Sequence, residues 1–373
     1  MKDLILFGDC KKTLSAFLPK SARTCVTSPP YYGLRDYGTA TWIGGDPNCN
    51  HRRDSKVKAE NCNTGHKNHD EMYGVGDAIY KTVCPKCGAI RQDSQIGLEE
   101  TPEEYIESLV SVFRGVRDVL TDDGTLWVNL GDSYYNYRPG KGQSYPKQTV
   151  SKTKQDLPDE CNKRGNKLDG LKEKDLIGIP WLFAFAMRAD GWYLRQDIIW
   201  HKPNPMPESV RDRCTKSHEY IFLFSKNRKY YYDNEAIKEP AKDWGTRDRT
   251  NGKYHNEGTG LQPHSGLTKS YPTKNKRSVW SVTVKPYKEA HFATYPPDLI
   301  EPCILAGSEE GDIILDPFMG AGTTAAVAKS LNRYYIGCEL NKDYGNLIQK
   351  RIQDYQPVNK VSQEPCINIL DII

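Results

Sequence analysis

Two short segments of this chain combine residue types suited to a nucleotide-like ligand. The first is Asp316-Pro317-Phe318-Met319-Gly320-Ala321-Gly322-Thr323-Thr324, set between an apolar run (Ile313 to Leu315) and a helical one (Thr323 to Leu331). Glycines placed there let the backbone pass close to a ligand, and the helix that follows presents free N–H groups to an anionic group. Glu339 closes the next apolar run, where a carboxylate can accept hydrogen bonds from both hydroxyls of a ribose. The loop lacks the third glycine of a dinucleotide fingerprint and the Gly-Lys-Ser/Thr of a phosphate loop, which counts against NAD and ATP.

The second segment is Thr27-Ser28-Pro29-Pro30-Tyr31, which follows directly on the strand-like run Thr24 to Thr27. Consecutive prolines end a strand abruptly, hold the backbone extended and contribute no N–H of their own. Together the two segments resemble the catalytic motif and the cofactor loop of DNA amino-methyltransferases. The catalytic motif comes first and the cofactor loop near the end, an order that resembles the beta group of that family. The resemblance implies a doubly wound, Rossmann-like α/β methyltransferase sheet in three layers. It also implies S-adenosylmethionine as cofactor and double-stranded DNA as substrate.

Within that resemblance the chemistry assigns roles. An exocyclic amino group is a poor nucleophile because its lone pair is delocalised into the ring. Two acceptors, the Ser28 hydroxyl and the Pro29 carbonyl, can hold its N–H groups so that a pyramidal nitrogen aims its lone pair at the methyl donor. Pro30 keeps the segment extended, and Tyr31 offers a flat face to an extruded base. Ser-Pro-Pro-Tyr in this family more often accompanies N4-cytosine than N6-adenine, so cytosine is favoured and adenine is the alternative. The cofactor is expected to touch Asp9 and Cys10, Thr294 and Pro296, then Asp316, Phe318, Gly320, Gly322, Thr323 and Thr324, and finally Glu339. Asp9, after Gly8, resembles the family's acid that holds the adenine amino group. His291 to Pro297 resembles the segment that holds the methionine end. Asn129-Leu130-Gly131-Asp132 and Lys216-Ser217-His218-Glu219-Tyr220 match looser strand-end motifs of the family.

A second constellation is metal-like. Cys84-Pro85-Lys86-Cys87-Gly88 has the form of a zinc knuckle, and Cys49 with His51 is its expected partner pair. Three thiolates and one imidazole make a closed, structural site. Cys62, His66 and His69 are rival ligands. The other cysteines, of 11 in all, are scattered and read as free thiols. From Pro240 to Trp280 basic residues outnumber acids, and Arg247, Arg249, Lys274, Lys276 and Arg277 are candidate DNA contacts in a target-recognition region at 240–280.

The elements that must position these groups follow from periodicity. Strands are expected at Leu4 to Phe7, Thr24 to Thr27, Gly124 to Leu130, Tyr193 to Trp200, Tyr220 to Phe224, Ile313 to Leu315 and Tyr334 to Cys338, with Tyr230 to Tyr232 as a hairpin mate. Leu14, Phe17 and Leu18 sit at helical spacing. Thr101-Pro102-Glu103-Glu104 opens a helix running to Leu120, and Pro180 to Arg188 forms another. Alternation of strands and helices predicts a parallel, doubly wound sheet in a single permuted domain, 1–373. Residues 40–95 read as a zinc-binding insertion and 133–175 as a polar loop. With 373 residues, 37% of them hydrophobic, and a net charge of +4, the composition permits nucleic-acid binding without arguing for it. Charge interrupts the apolar start before any cleavage-like site, and no apolar stretch approaches a bilayer span. The expected location is the cytoplasm of a bacterium, the gene being cellular or phage-borne. A cognate restriction endonuclease is a possible partner that the chemistry does not require, and the oligomeric state is open. Two other readings compete. RNA or protein amide N-methyltransferases usually place the cofactor loop first and carry asparagine at the head of the motif. A non-catalytic zinc-containing DNA-binding module leaves Ser28, Tyr31, Gly320 and Glu339 unexplained.

Overall fold

The computed structural model describes residues 2–33, 39–51, 80, 82–135, 168, 170–241, 272–285 and 294–355. Chain order runs β1 (Leu4–Phe7), α1 (Cys10–Thr13), β2 (Ala22–Thr27), β3 (Thr41–Ile43), β4 (Ile90–Gln92), α2 (Pro102–Val119) and β5 (Leu120–Leu130). It continues through α3 (Ile179–Ala189), β6 (Tyr193–His201), β7 (His218–Ser225), β8 (Glu239–Pro240), β9 (Thr273–Lys274) and β10 (Val279–Ser281). The last elements are α4 (Pro297–Gly307), β11 (Ile313–Asp316), α5 (Thr323–Ser330), β12 (Tyr334–Glu339) and α6 (Tyr344–Asp354).

Eight strands form one sheet in the order β1-β12-β11-β2-β5-β7-β6-β10. Side chains of its central strands alternate between two cores, as a strand buried on both faces requires. Cys25, Leu126, Val128, Phe222 and Phe224 meet α2 and α3 in one core. Val26, Trp127, Ile221 and Leu223 meet α4, α5 and α6 in the other. The result is the expected α/β/α sandwich.

The sheet is not wholly parallel. β7 runs antiparallel to both β5 and β6, with Trp127 opposite Leu223 and Ile198 opposite Ile221. The hairpin mate of β7 is therefore β6, and Tyr230 to Tyr232 is not a strand. Those tyrosines fold back over the sheet: the Tyr231 amide donates to Asp123 O, and Tyr232 stacks on Trp127 at 6.3 Å. The expected helix through Leu18 is also short. α1 gives way to one 3-10 turn and the chain extends at Phe17, leaving Leu18 exposed. α2 carries a complete capping box, with Glu104 N donating to Thr101 Oγ1 at 3.2 Å and Thr101 N to Glu104 Oε2 at 3.3 Å. Among the described residues no helix is long and apolar enough to cross a membrane.

Candidate active site

The two chemical segments meet because β2 and β11 are parallel neighbours, with Thr24 beside Ile314 and Cys25 beside Leu315. Their C-terminal ends open side by side, which is where open α/β sheets bind ligands. Asp316 locks this seam. It is fully buried and accepts from the hydroxyls of Thr27 and Thr324, both at 2.6 Å, and from the Phe318 amide at 3.0 Å. The Tyr295 hydroxyl adds a fourth contact at 3.2 Å. Burial pushes the Asp316 carboxyl above its ordinary range, against the pull of these bonds.

Beyond the seam lies a cleft of about 370 Å³. One end is built on β12. The Glu339 carboxylate is held by two amides, Gly320 N at 2.7 Å and Asn341 N at 2.8 Å, and its carbonyl accepts from Gly8 N at 2.8 Å. Gly320 and Gly322 turn with φ of +54° and +80°, the left-handed region open to glycine. Glu339 is 9% exposed, and burial first, with Asp316 nearby, raises its carboxyl to about 7. Asp9 caps α1 by accepting from Lys11 N at 2.9 Å and also lines the cleft. A carboxylate held by two backbone amides, with apolar walls from Phe318 and Leu347, suits a ribose carrying an adenine, so the residues present fit S-adenosylmethionine.

The other end is built on β2, β5 and β7. Asn129 Nδ2 donates to Glu219 Oε2 at 3.2 Å and to Tyr220 O at 3.1 Å. Those two acceptors fix the amide so that Oδ1 faces the Ser-Pro-Pro-Tyr loop. There it receives Ser28 Oγ at 3.4 Å and Tyr31 OH at 3.0 Å, the Tyr31 hydroxyl also lying 2.8 Å from Glu219 Oε2. Lys202, at the end of β6, pairs with Glu219 Oε1. Burial and the Glu219 carboxylate hold the Tyr31 phenol protonated well above its usual range. Tyr105 of α2 donates to Pro30 O at 2.8 Å, whereas no donor among the described residues reaches Pro29 O. Gly131 gives the Tyr31 ring its room, since a Cβ there would lie 2.5 Å from Tyr31 Cε2.

Apart from this cleft, Cys49, His51, Cys84 and Cys87 bring their donor atoms within 4.8 Å of one another. Cys49 Sγ lies 3.8 Å from Cys84 Sγ, and Cys87 Sγ 3.5 Å from His51 Nδ1. The knuckle turn is closed by Cys84 N to Ala89 O at 2.8 Å and Gly88 N to Cys84 O at 2.7 Å. The rival ligands Cys62, His66 and His69 lie outside the described residues.

Of the residues singled out from sequence, Ser28, Pro29, Pro30 and Tyr31 share the cleft with Asp9, Cys10, Thr294, Phe318, Gly320, Thr323 and Glu339. Asp316, Gly322, Thr324 and Pro296 do not line it; Asp316 and Thr324 sit in the seam behind it. Arg247, Arg249 and His291 lie outside the described residues. Lys274, Lys276 and Arg277 are away from the cleft, the last two sharing Glu239 at 3.8 Å and 3.3 Å. Sequence reasoning missed Trp200 and Lys202, which line the cleft with Ser28 and Glu219. Their signal was the run Trp200-His201-Lys202-Pro203, a strand that ends on a cation and a proline.

The family model for DNA methylases (N6/N4 methyltransferases) matches residues 22–350. The type II methyltransferase M.XycI of Xanthomonas campestris pv. cyanopsidis is 39% identical over 346 residues, 93% of this chain and 86% of that protein. M.SmaI of Serratia marcescens is 38% identical over 353 residues, 93% of this chain and 90% of that protein. Among solved structures, PvuII DNA methyltransferase (cytosine-N4-specific) shares the fold with a TM-score of 0.53 at 15% identity, covering 96% of this chain and 88% of that one. The chain therefore belongs to the N6/N4 family of DNA methylases, which move a methyl group from S-adenosylmethionine to an exocyclic amino nitrogen of a DNA base.

Proposed function

We propose that the base methylated is cytosine, at N4, turned out of duplex DNA into the end of the cleft formed by Ser28, Pro29 and Tyr31. The Ser-Pro-Pro-Tyr motif favours cytosine, and one observation supports placing its amino group at Ser28. Ser28 gives its proton to Asn129, whose orientation is fixed by Glu219 and Tyr220 O, so the hydroxyl lone pairs are left for an amino N–H. The Pro29 carbonyl is a second acceptor beside it. Bound S-adenosylmethionine supplies an electrophilic methyl group on a sulfonium. Ser28 and Pro29 hold the amino group so that its nitrogen forms the new bond to carbon as the carbon–sulfur bond breaks. The positively charged nitrogen then gives its proton to solvent water, so no strong base is needed, and alignment by these residues provides most of the rate. Glu339, Gly320 and Asp9 hold the nucleoside of the cofactor.

The finer assignments belong to the same reading. Zinc fits the Cys49, His51, Cys84 and Cys87 cluster: tetrahedral bonds of about 2.3 Å to sulfur and about 2.0 Å to nitrogen imply S···S and S···N spacings of about 3.8 Å and 3.5 Å. Both spacings occur there. Four protein ligands make the site structural. Arg247, Arg249, Lys274, Lys276 and Arg277 meet DNA phosphates, Lys276 and Arg277 exchanging Glu239 for them. The protein works in a bacterial cytoplasm, with or without a cognate endonuclease.

The test is transfer from labelled S-adenosylmethionine to mixed-sequence duplex DNA, followed by mass spectrometry of the nucleosides. N4-methylcytosine is expected. N6-methyladenine would overturn the base assignment.

A further inference from the structure

The metal-like cluster lies in an insertion that leaves the catalytic loop and returns to it. Gly33, two residues past Tyr31, donates its amide to Gly97 O at 2.9 Å. Gly97 has φ of +101°, and a Cβ there would lie 3.0 Å from Tyr31 O. Thr39 and Gln95, at the two feet of the insertion, line the same cleft as Ser28. Both donate to Asp93 Oδ1, Thr39 through its hydroxyl at 3.2 Å and Gln95 through its backbone N–H at 3.0 Å.

A continuous set of contacts runs from these feet to the cluster. Arg91 pairs with Asp93 at 3.2 Å, both side chains largely buried. Arg91 stands opposite Trp42 in the antiparallel pair β3–β4. Trp42 stacks on the imidazole of His51, with ring centres 4.2 Å apart and planes 17° from parallel. The ribbon that carries the cluster has three residues per strand, and Ile43, Val83 and Ile90 are each more than half exposed. A two-stranded ribbon without its own core is marginal in water, so it draws its order from its ends. One end is the ligand cluster and the other is the catalytic loop.

We propose that metal at Cys49, His51, Cys84 and Cys87 braces the base-binding end of the active site, acting through Trp42, Arg91 and Asp93 on the loop from Ser28 to Gly33. Among the described residues, the hydrogen bonds of Glu339 and Gly320 involve none of Trp42, Arg91 and Asp93, so the cofactor end stands independent of the brace. Trp42, Arg91 and Asp93 are positioning residues. The proposal rests on the metal reading above, and the experiment separates the two.

Metal content is measured first, by mass spectrometry of protein made in zinc-replete medium. One zinc per chain is expected; none would refute the metal reading and the brace with it. Hydrogen exchange is then compared for metal-loaded protein, chelator-stripped protein, Cys87→Ser and Trp42→Ala. Trp42→Ala keeps all four ligands and cuts the brace in its middle, so it remains informative if ligand loss unfolds the insertion. Exchange at Tyr31 to Gly33 and Ser94 to Gly97 should rise about fivefold or more in every perturbed form, while 316–330 stays protected. The dissociation constant for S-adenosylmethionine should stay within about twofold, and added zinc should reverse the change in the stripped protein. Stoichiometric zinc with unchanged exchange at Tyr31 to Gly33 would overturn the brace and leave the metal reading standing. Exchange that rises equally at 316–330 would also overturn it, because the metal would then stabilise the whole fold.

Discussion

Cofactor binding should depend on pH through Glu339. In the ligand-free protein its carboxyl is raised to about 7, because the side chain is buried beside Asp316. Ribose hydroxyls donate to a carboxylate, so a bound nucleoside favours the ionised form and draws its pKa down. Affinity then follows the ionised fraction of the free protein, about 0.9 at pH 8, 0.5 at pH 7 and 0.1 at pH 6. The dissociation constant should weaken about tenfold from pH 8 to pH 6, or ~1.4 kcal/mol. A glutamate at its ordinary value would change binding by only a few per cent over that interval. The clean probe is methylthioadenosine, which keeps the ribose hydroxyls and lacks the amino acid with its own titrating amine. Titration calorimetry on wild type and Glu339→Gln gives the comparison. The variant should bind weakly with no slope. A flat wild-type profile, or the same slope in the variant, would refute the reasoning.

Ser28→Ala should lower single-turnover methyl transfer by about a hundredfold or more while calorimetry finds cofactor affinity within about twofold; equal loss of both would count against its role as acceptor. Gly131→Ala must displace the Tyr31 ring, since the new Cβ would lie 2.5 Å from Cε2. It should cost about 1–3 kcal/mol in urea unfolding and depress transfer with cofactor binding retained; full activity would show the ring to be free to move. Asp316→Ala strips the Thr27, Thr324 and Phe318 donors of their acceptor inside the seam. A loss of about 3–5 kcal/mol by denaturant titration is expected, and under about 1 kcal/mol would mean the carboxylate does not hold the two halves together.

The parts of this fold legible in the sequence are those whose signals are local. The capping box at Thr101 and Glu104, the strand–loop–helix rhythm from Ile313 to Leu331 and the Cys84/Cys87 spacing each fit within a few residues. β7 was legible as a strand and not in its direction, because His-Glu-Tyr-Ile-Phe-Leu-Phe-Ser is apolar on both faces and reads alike either way. α4 hid behind Pro302, which sits inside a helix it would ordinarily break. The tyrosine run Tyr230 to Tyr232 has strand composition, yet its rings are used to cover Trp127 and Arg195. The network around Ser28 and Tyr31 was the least legible. Asn129, Glu219 and Lys202 come from the ends of three strands, and no spacing along the chain announces that they touch. The role of Asp316 was blurred for a related reason: its position in the motif is clear, but its enclosure by Thr27 depends on a partner 289 residues away.

The placement of β11 and β12 between β1 and β2 governs when a newly made chain can first act. β1 has its registered partner in β12, and β2 has one of its two in β11. Until β11 and β12 are synthesised, β1 and β2 lack these partners, and bare edges invite pairing with other chains. Adding them closes contacts spanning as many as 332 residues, a slow and entropically costly event for a growing polypeptide. The Ser28 end of the cleft is complete by Glu219, whereas the end that holds Asp9 waits for Gly320 and Glu339. A chain stalled before β11 therefore lacks the Gly320 and Glu339 end of the cleft and leaves its β2 edge open to pairing with other chains.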